Sequence, residues 1–169
     1  NGYPVRLERI GGRYAVDAML HGLSFEEYLI CENHYQGYLY SQQATQLKSM
    51  FNILYRKKPG FKGMCSACFS RIREYELMSV FLWWGSIKLY FAFMFPHFFQ
   101  PFQRRDHADQ PEVPDLMGAM NAQIRALTGG DITKEKEVLQ MDCWRALTEL
   151  DAKAQEIQEL KSKQKNGYK

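Results

Sequence analysis

Between Asn33 and Arg73 the chain has no aspartate and no glutamate. Lys48 falls in the first half of that stretch and Arg56, Lys57, Lys58, Lys62, Arg71 and Arg73 in the second, so seven cations stand within it and no acid. Other absences concern chemistry. There is no H-E-x-x-H, and His21, His34, His97 and His107 lack the i,i+4 spacing with which a helix offers two imidazoles to one metal. No G-x-S-x-G elbow, Walker loop or G-x-G-x-x-G occurs, which removes the usual signatures of hydrolase, nucleotide and dinucleotide sites. Glu26 and Glu27 are adjacent, but they belong to the first turn of an expected helix, where the helix dipole already accounts for acids. No internal repeat is visible. Residues 1–9 hold no apolar run of the kind a secretory signal needs. Cysteine is sparse: Cys31, Cys65, Cys68 and Cys143 form an even set, but a chain this rich in core residues has no need of disulfides. These absences point to a non-enzymatic protein in a reduced, cytoplasmic setting.

What is present is apolar and unevenly charged. The chain has 169 residues, 46% of them hydrophobic and 14% aromatic, enough for one domain with a sizeable core. Residues 1–105 carry 13 Lys/Arg against 7 Asp/Glu, while residues 106–169 carry 9 against 12. A basic body followed by an acidic arm suits self-association or an anionic partner.

The pattern predicts a mainly α fold of about four helices with a short N-terminal β-hairpin. In residues 3–20, Val5 and Leu7 alternate with charged residues, as do Tyr14 and Val16, and Gly11-Gly12 between them supplies the positive φ angles of a two-residue turn. Such a hairpin must pack on something to be stable. Ser24 and Glu27 form a capping box that starts the first long helix, with Leu23 and Tyr28 as a hydrophobic staple. Its stripe runs Phe25, Tyr28, Leu29, Tyr35, Leu39, Leu47, Met50, Phe51, Leu54, and Lys57, Lys58, Pro59 and Gly60 end it. Gly37 is a place for a bend or for close approach by a neighbour. A second helix is expected from about Ser66 to Phe95, stopped by Pro96. A third helix has Leu116, Met120, Ile124 and Leu127 on one face and Gly129-Gly130 as its stop. The fourth begins near Thr133, with the stripe Leu139, Cys143, Ala146, Leu150, Ala154, Ile157, and the tail beyond Leu160 frays. The organisation is thus a body over residues 1–102, a Pro-rich linker over 103–115, and a C-terminal helical arm over 116–169 that either packs on the body or reaches to a neighbour.

Three features could carry function. Cys65-Ser66-Ala67-Cys68 is a C-x-x-C that could grip zinc or act as a redox pair, but it supplies half a zinc site and lies in a helical, not βαβ, neighbourhood. Two partly buried small residues are the simpler account, and no cofactor is expected. The acid-free stretch could meet phosphates through Arg56, Lys57, Lys58, Lys62, Arg71 and Arg73, with Tyr55 or Phe61 stacking on bases. The plain account is a solvated turn. Leu77–Phe95 is apolar at 15 of 19 positions and approaches the length of a bilayer span, but Lys88 in its middle is costly in lipid. We therefore expect a central helix buried on most sides, with Lys88 reaching outward to solvent. In the arm, Trp144 lies beside the stripe with Met141 and Leu147 on the same flank, widening the apolar face.

Two stretches, FEEYLICENHYQGYLYSQQATQLKSMFNILY and MNAQIRALTGGDITKEKEVLQMDCWRALTELDAKAQE, resemble small proteins of prophage-type gene clusters in gut bacteria, near genes for tail construction. The resemblance covers residues 25–55 and 117–156. It implies a structural or assembly role, cytoplasmic or virion-associated, and assigns no site residue. The partners expected are other protein subunits, as a homo-oligomer or larger assembly, through Trp83, Trp84, Phe98, Phe99, Phe102, Met141, Trp144 and Leu147. Nucleic acid is the alternative partner, and a membrane is not expected.

Overall fold

The computed structural model describes residues 4–62, 66–99 and 115–166. The chain is mainly helical, with six α-helices among the described residues, not four. Two of the expected helices, the first and the fourth, are broken in two. The first divides into α1 (Phe25–Ser41) and α2 (Ala44–Leu54). The reversal is at Gln42, whose backbone is left-handed at φ 55° while its N–H closes α1 onto the Tyr38 carbonyl. Gly37 allows the two helices to meet: a Cβ there would stand 3.0–3.3 Å from the side chain of Gln46. Close approach, and not a bend, is therefore the role of that glycine. His34 fixes the same contact through a 2.7 Å hydrogen bond from Nδ1 to Gln46 Oε1.

The capping box starts α1 as expected. Ser24 Oγ accepts from the Glu27 N–H, and a Glu27 carboxylate oxygen accepts from the Ser24 N–H, each at 3.2 Å. The N-terminal hairpin is shorter than its alternation suggests, with β1 (Arg9–Ile10) and β2 (Arg13–Ala15) antiparallel around Gly11 and Gly12 at φ 55° and 76°. It gains a third strand, β3 (Tyr55–Arg56), which follows α2 directly and pairs Arg56 with Tyr14 and Tyr55 with Ala15. The stripe of the first helix thus ends as a strand, which gives the marginal hairpin its support. The Tyr55 hydroxyl also donates to the Leu7 carbonyl at 2.6 Å.

The next long helix, α3 (Glu74–Met94), begins eight residues later than expected. Cys68 to Arg73 instead form a single 3-10 turn over Phe69–Arg71, and Glu76 caps α3 by accepting from the Arg73 N–H at 2.7 Å. The proposed linker and Phe102 lie outside the described residues, apart from Asp115. That residue caps α4 (Leu116–Thr128), which Gly129 terminates at φ 64°. The expected fourth helix is a 3-10 turn at Ile132–Lys134, α5 (Glu135–Gln140) and α6 (Cys143–Asn166). Asp131, not Thr133, is its first cap, and the helix continues past Leu160 to Asn166.

The break between α5 and α6 has a long-range cause. Met141 is extended, its carbonyl accepts from the Phe25 N–H at 2.8 Å, and the Cys143 N–H donates to the Leu23 carbonyl at 2.9 Å. Ser24 and Asp142 thereby form a two-residue antiparallel bridge. The core lies between α3 and the remaining helices. Leu77, Val80, Trp83, Trp84, Ile87 and Phe91 face Phe25, Tyr28, Met50, Phe51 and Leu54 in one buried cluster, which also takes in Cys143, Ala146, Leu147 and Leu150 of α6.

Candidate interaction surface

Of the residues proposed to meet a partner, Trp83, Trp84 and Leu147 belong to the core, at 1%, 0% and 0% exposure. They have no surface to offer, which corrects that expectation. Their polar edges are used internally: Trp83 Nε1 donates to the Ala18 carbonyl at 3.1 Å and Trp84 Nε1 to Glu32 Oε2 at 2.9 Å. Trp144 is half-buried against its own chain. Its ring stacks on His21 at 4.8 Å, meets Phe91 and Phe95 edge-on at 5.2 and 5.5 Å, and donates from Nε1 to the Met19 carbonyl at 2.6 Å. Met141 is half-buried and held by the Ser24–Asp142 bridge. Phe98 and Phe99 are half-buried, packed edge to face at 4.8 Å.

The opposite side of α3 was missed, and it is bare. Tyr75, Leu82, Leu89 and Phe93 are 61%, 64%, 77% and 67% exposed. With Ser79 and Ser86 between them they fall at intervals of three and four residues, so they lie along one line of the helix. Their side chains leave roughly 500 Å² of apolar surface open, toward the upper end of what a monomer exposes in one patch. The sequence marks this face only weakly, since the buried Leu77, Trp84 and Phe91 recur at the same interval. Tyr75, Leu82 and Leu89 recur every seventh residue, and the serines interrupt an otherwise apolar segment on that same face.

Charge does not protect this face. Within Leu77–Met94 the single charged residue is Lys88, and it turns onto Glu32 instead of reaching outward. Glu32 accepts from both Lys88 and Trp84 Nε1, and the Lys88 ammonium lies 5.1 Å from the centre of the Tyr35 ring. By length and composition α3 is long and apolar enough to cross a bilayer, with 33% of its most apolar window buried in the fold.

The basic stretch is only partly a surface. Arg56 is buried and bound to Glu27 at 2.6 Å, so it does not belong with the exposed cations. Tyr55 is fully buried and cannot stack on a base, whereas Phe61 is 46% exposed. Lys57, Lys58, Lys62, Arg71 and Arg73 are exposed. Cys68 is exposed and hydrogen-bonded to Ser70 at 3.1 Å; Cys65 lies outside the described residues. Among the described residues no three His, Cys, Asp or Glu side chains gather as a metal site.

An open cleft of about 940 Å³ lies between the end of β2, the first turn of α1 and the turn after β3. Lys58 and Lys62 line one part of it, and Asp17, Glu26, Glu27 and Asp142 another. Most of these carboxylates have structural work. Asp17 accepts from the N–H groups of Met19 and His21, Asp142 from those of Gly22 and Trp144, and Glu27 binds Arg56. Comparison with family models, with characterised proteins and with solved structures finds no match to this chain.

Proposed function

We propose that this chain is a non-enzymatic structural or assembly component that docks on protein through the outer face of α3. The carrying observation is the bare line Tyr75, Leu82, Leu89 and Phe93 on a helix whose other side anchors the core. An uncharged apolar strip of this size is costly in water and gains by being covered. The resemblance of residues 25–55 and 117–156 to small proteins of prophage-type tail gene clusters accords with an assembly role, cytoplasmic or within a particle.

Protein covers such a face better than lipid does. A bilayer-spanning helix meets lipid or other spanning segments all round, whereas α3 packs its inner side on α1, α2 and α6, and α6 carries Arg145, Glu149, Glu156 and Glu159 exposed on its outside. Vesicle flotation separates the two. The chain is mixed with phosphatidylcholine–phosphatidylglycerol vesicles and compared with a Leu82→Gln/Leu89→Gln variant of matched helical content. We expect both proteins to remain in the dense fraction. Flotation of the wild type with loss of flotation in the variant would mean that the face meets lipid, and would end the docking reading.

A further inference from the structure

We infer that the protein covering the outer face of α3 is α3 of a second copy, packed antiparallel about a two-fold axis; this rests on the docking reading above. Residue spacing along α3 points to this pairing. Tyr75, Leu82 and Leu89 lie seven residues apart, and Ser79, Ser86 and Phe93 fall four residues after each of them. Those are the two interleaved positions with which one helix packs on another along its length. The strip from Tyr75 to Phe93 extends over about 27 Å of helix axis, long enough for a continuous helix–helix seam.

Side-chain size points the same way. Along the strip the residues run large, small, large, small, large, large. Laid antiparallel, Leu82 meets the partner's Ser86, Leu89 meets the partner's Ser79, and Tyr75 meets the partner's Phe93, each pair occurring twice by symmetry. Both leucines then fill the space above a serine, and the aromatic pairs close the two ends. A parallel seam would instead set serine on serine in two layers and leucine on leucine in two others, leaving hollows beside crowding. The serines bring no unmet donor to the seam: Ser79 Oγ donates to the Glu76 carbonyl and Ser86 Oγ to the Trp83 carbonyl, both at 2.7 Å.

Electrostatics and area agree with this pairing. Lys88 is neutralised by Glu32 on its own chain, so no unpaired charge of Leu77–Met94 enters the seam. The antiparallel arrangement places the positive end of each helix dipole beside the negative end of the other. Two such faces together hide roughly 1,000 Å², the lower bound for a specific interface, and an isologous two-fold contact is the commonest closed arrangement.

Sedimentation velocity and paired cysteine cross-linking test the inference. In a Cys65→Ser/Cys68→Ser background, Leu82→Cys and Ser86→Cys proteins carrying different mass tags are oxidised with copper–phenanthroline, separately and mixed. We expect a concentration-dependent dimer. The mixture should cross-link roughly tenfold faster than either protein alone, because thiols close only where their Cβ atoms approach. The Leu82→Gln/Leu89→Gln variant should dimerise about a hundredfold more weakly. Faster cross-linking of each protein with itself would overturn the antiparallel register. A chain that stays monomeric at hundreds of micromolar overturns the second copy. If that monomer also stays off vesicles, docking on a different protein survives; if it floats, the docking reading fails too.

Discussion

The three described cysteines differ because of what surrounds each thiol. Cys31 is fully buried, and burial, then the charges of Glu32 and Glu27, push its thiol well above the ordinary range. Burial does the same to Cys143, with Asp142 adding to it. Cys68 is exposed, and hydrogen bonds from the Ser70 hydroxyl and backbone, with a smaller effect of Arg71, hold its thiol below the ordinary value. The thiolate is the reactive form, and a lowered pKa makes it available at lower pH. Residue-resolved alkylation by iodoacetamide should therefore rise with pH at Cys68 through a midpoint below that of a free thiol, and Ser70→Ala should move that midpoint up. Cys31 and Cys143 should remain unmodified until the chain unfolds. Modification of all three at equal rates would contradict the burial described. Residue types were legible in the sequence, but pairings were not. Arg56 stands in an acid-free stretch, yet Glu27, 29 residues earlier, neutralises it in the fold.

Element boundaries show which signals act locally. The Ser24–Glu27 box and the Gly129 stop were readable because each completes itself within a few residues. The breaks at Gln42 and Met141 were not, because neither site holds proline or glycine. They arise from contacts distant in sequence: α2 folding back on Gly37, and Met141–Cys143 pairing with Leu23–Phe25. The outer face of α3 was hidden for another reason. A segment apolar on both sides has little amphipathic contrast, so periodicity cannot separate a core face from a docking face. Asp142 gives the α5–α6 break a test. One carboxylate oxygen accepts from the Gly22 N–H at 2.6 Å and the other from the Trp144 N–H at 2.9 Å. Asp142→Ala should cost about 1–2 kcal/mol, the usual loss for a helix cap. Chemical denaturation reads this as a lower midpoint at constant slope; an unchanged midpoint would mean that the bridge holds without its carboxylate.

For the whole molecule, the sequence shows a basic body followed by an acidic arm. Among the described residues, aromatic packing and backbone hydrogen bonds join the two parts. Arg56–Glu27 and Lys88–Glu32 pair within the body, and Lys134–Asp131 and Lys153–Glu149 within the C-terminal part. The parts meet through Trp144 among His21, Tyr90, Phe91 and Phe95, and through Asp151, which accepts from the N–H groups of His97 and Phe98. Trp144→Ala should accordingly lower stability by about 3 kcal/mol, in the range for deleting a packed aromatic ring. Circular dichroism should show one transition at lower temperature; an unaltered melting curve would remove Trp144 from the joint. The Ser24–Asp142 bridge has a further consequence for biosynthesis. A nascent chain released only as far as residue 140 has no strand to pair with Leu23–Phe25 and no α6 to seal Leu20, Leu23 and Phe25. Completion of the body therefore waits until residues 141–150 have been made, and a ribosome stalled before them would hold an unfinished, adhesive core.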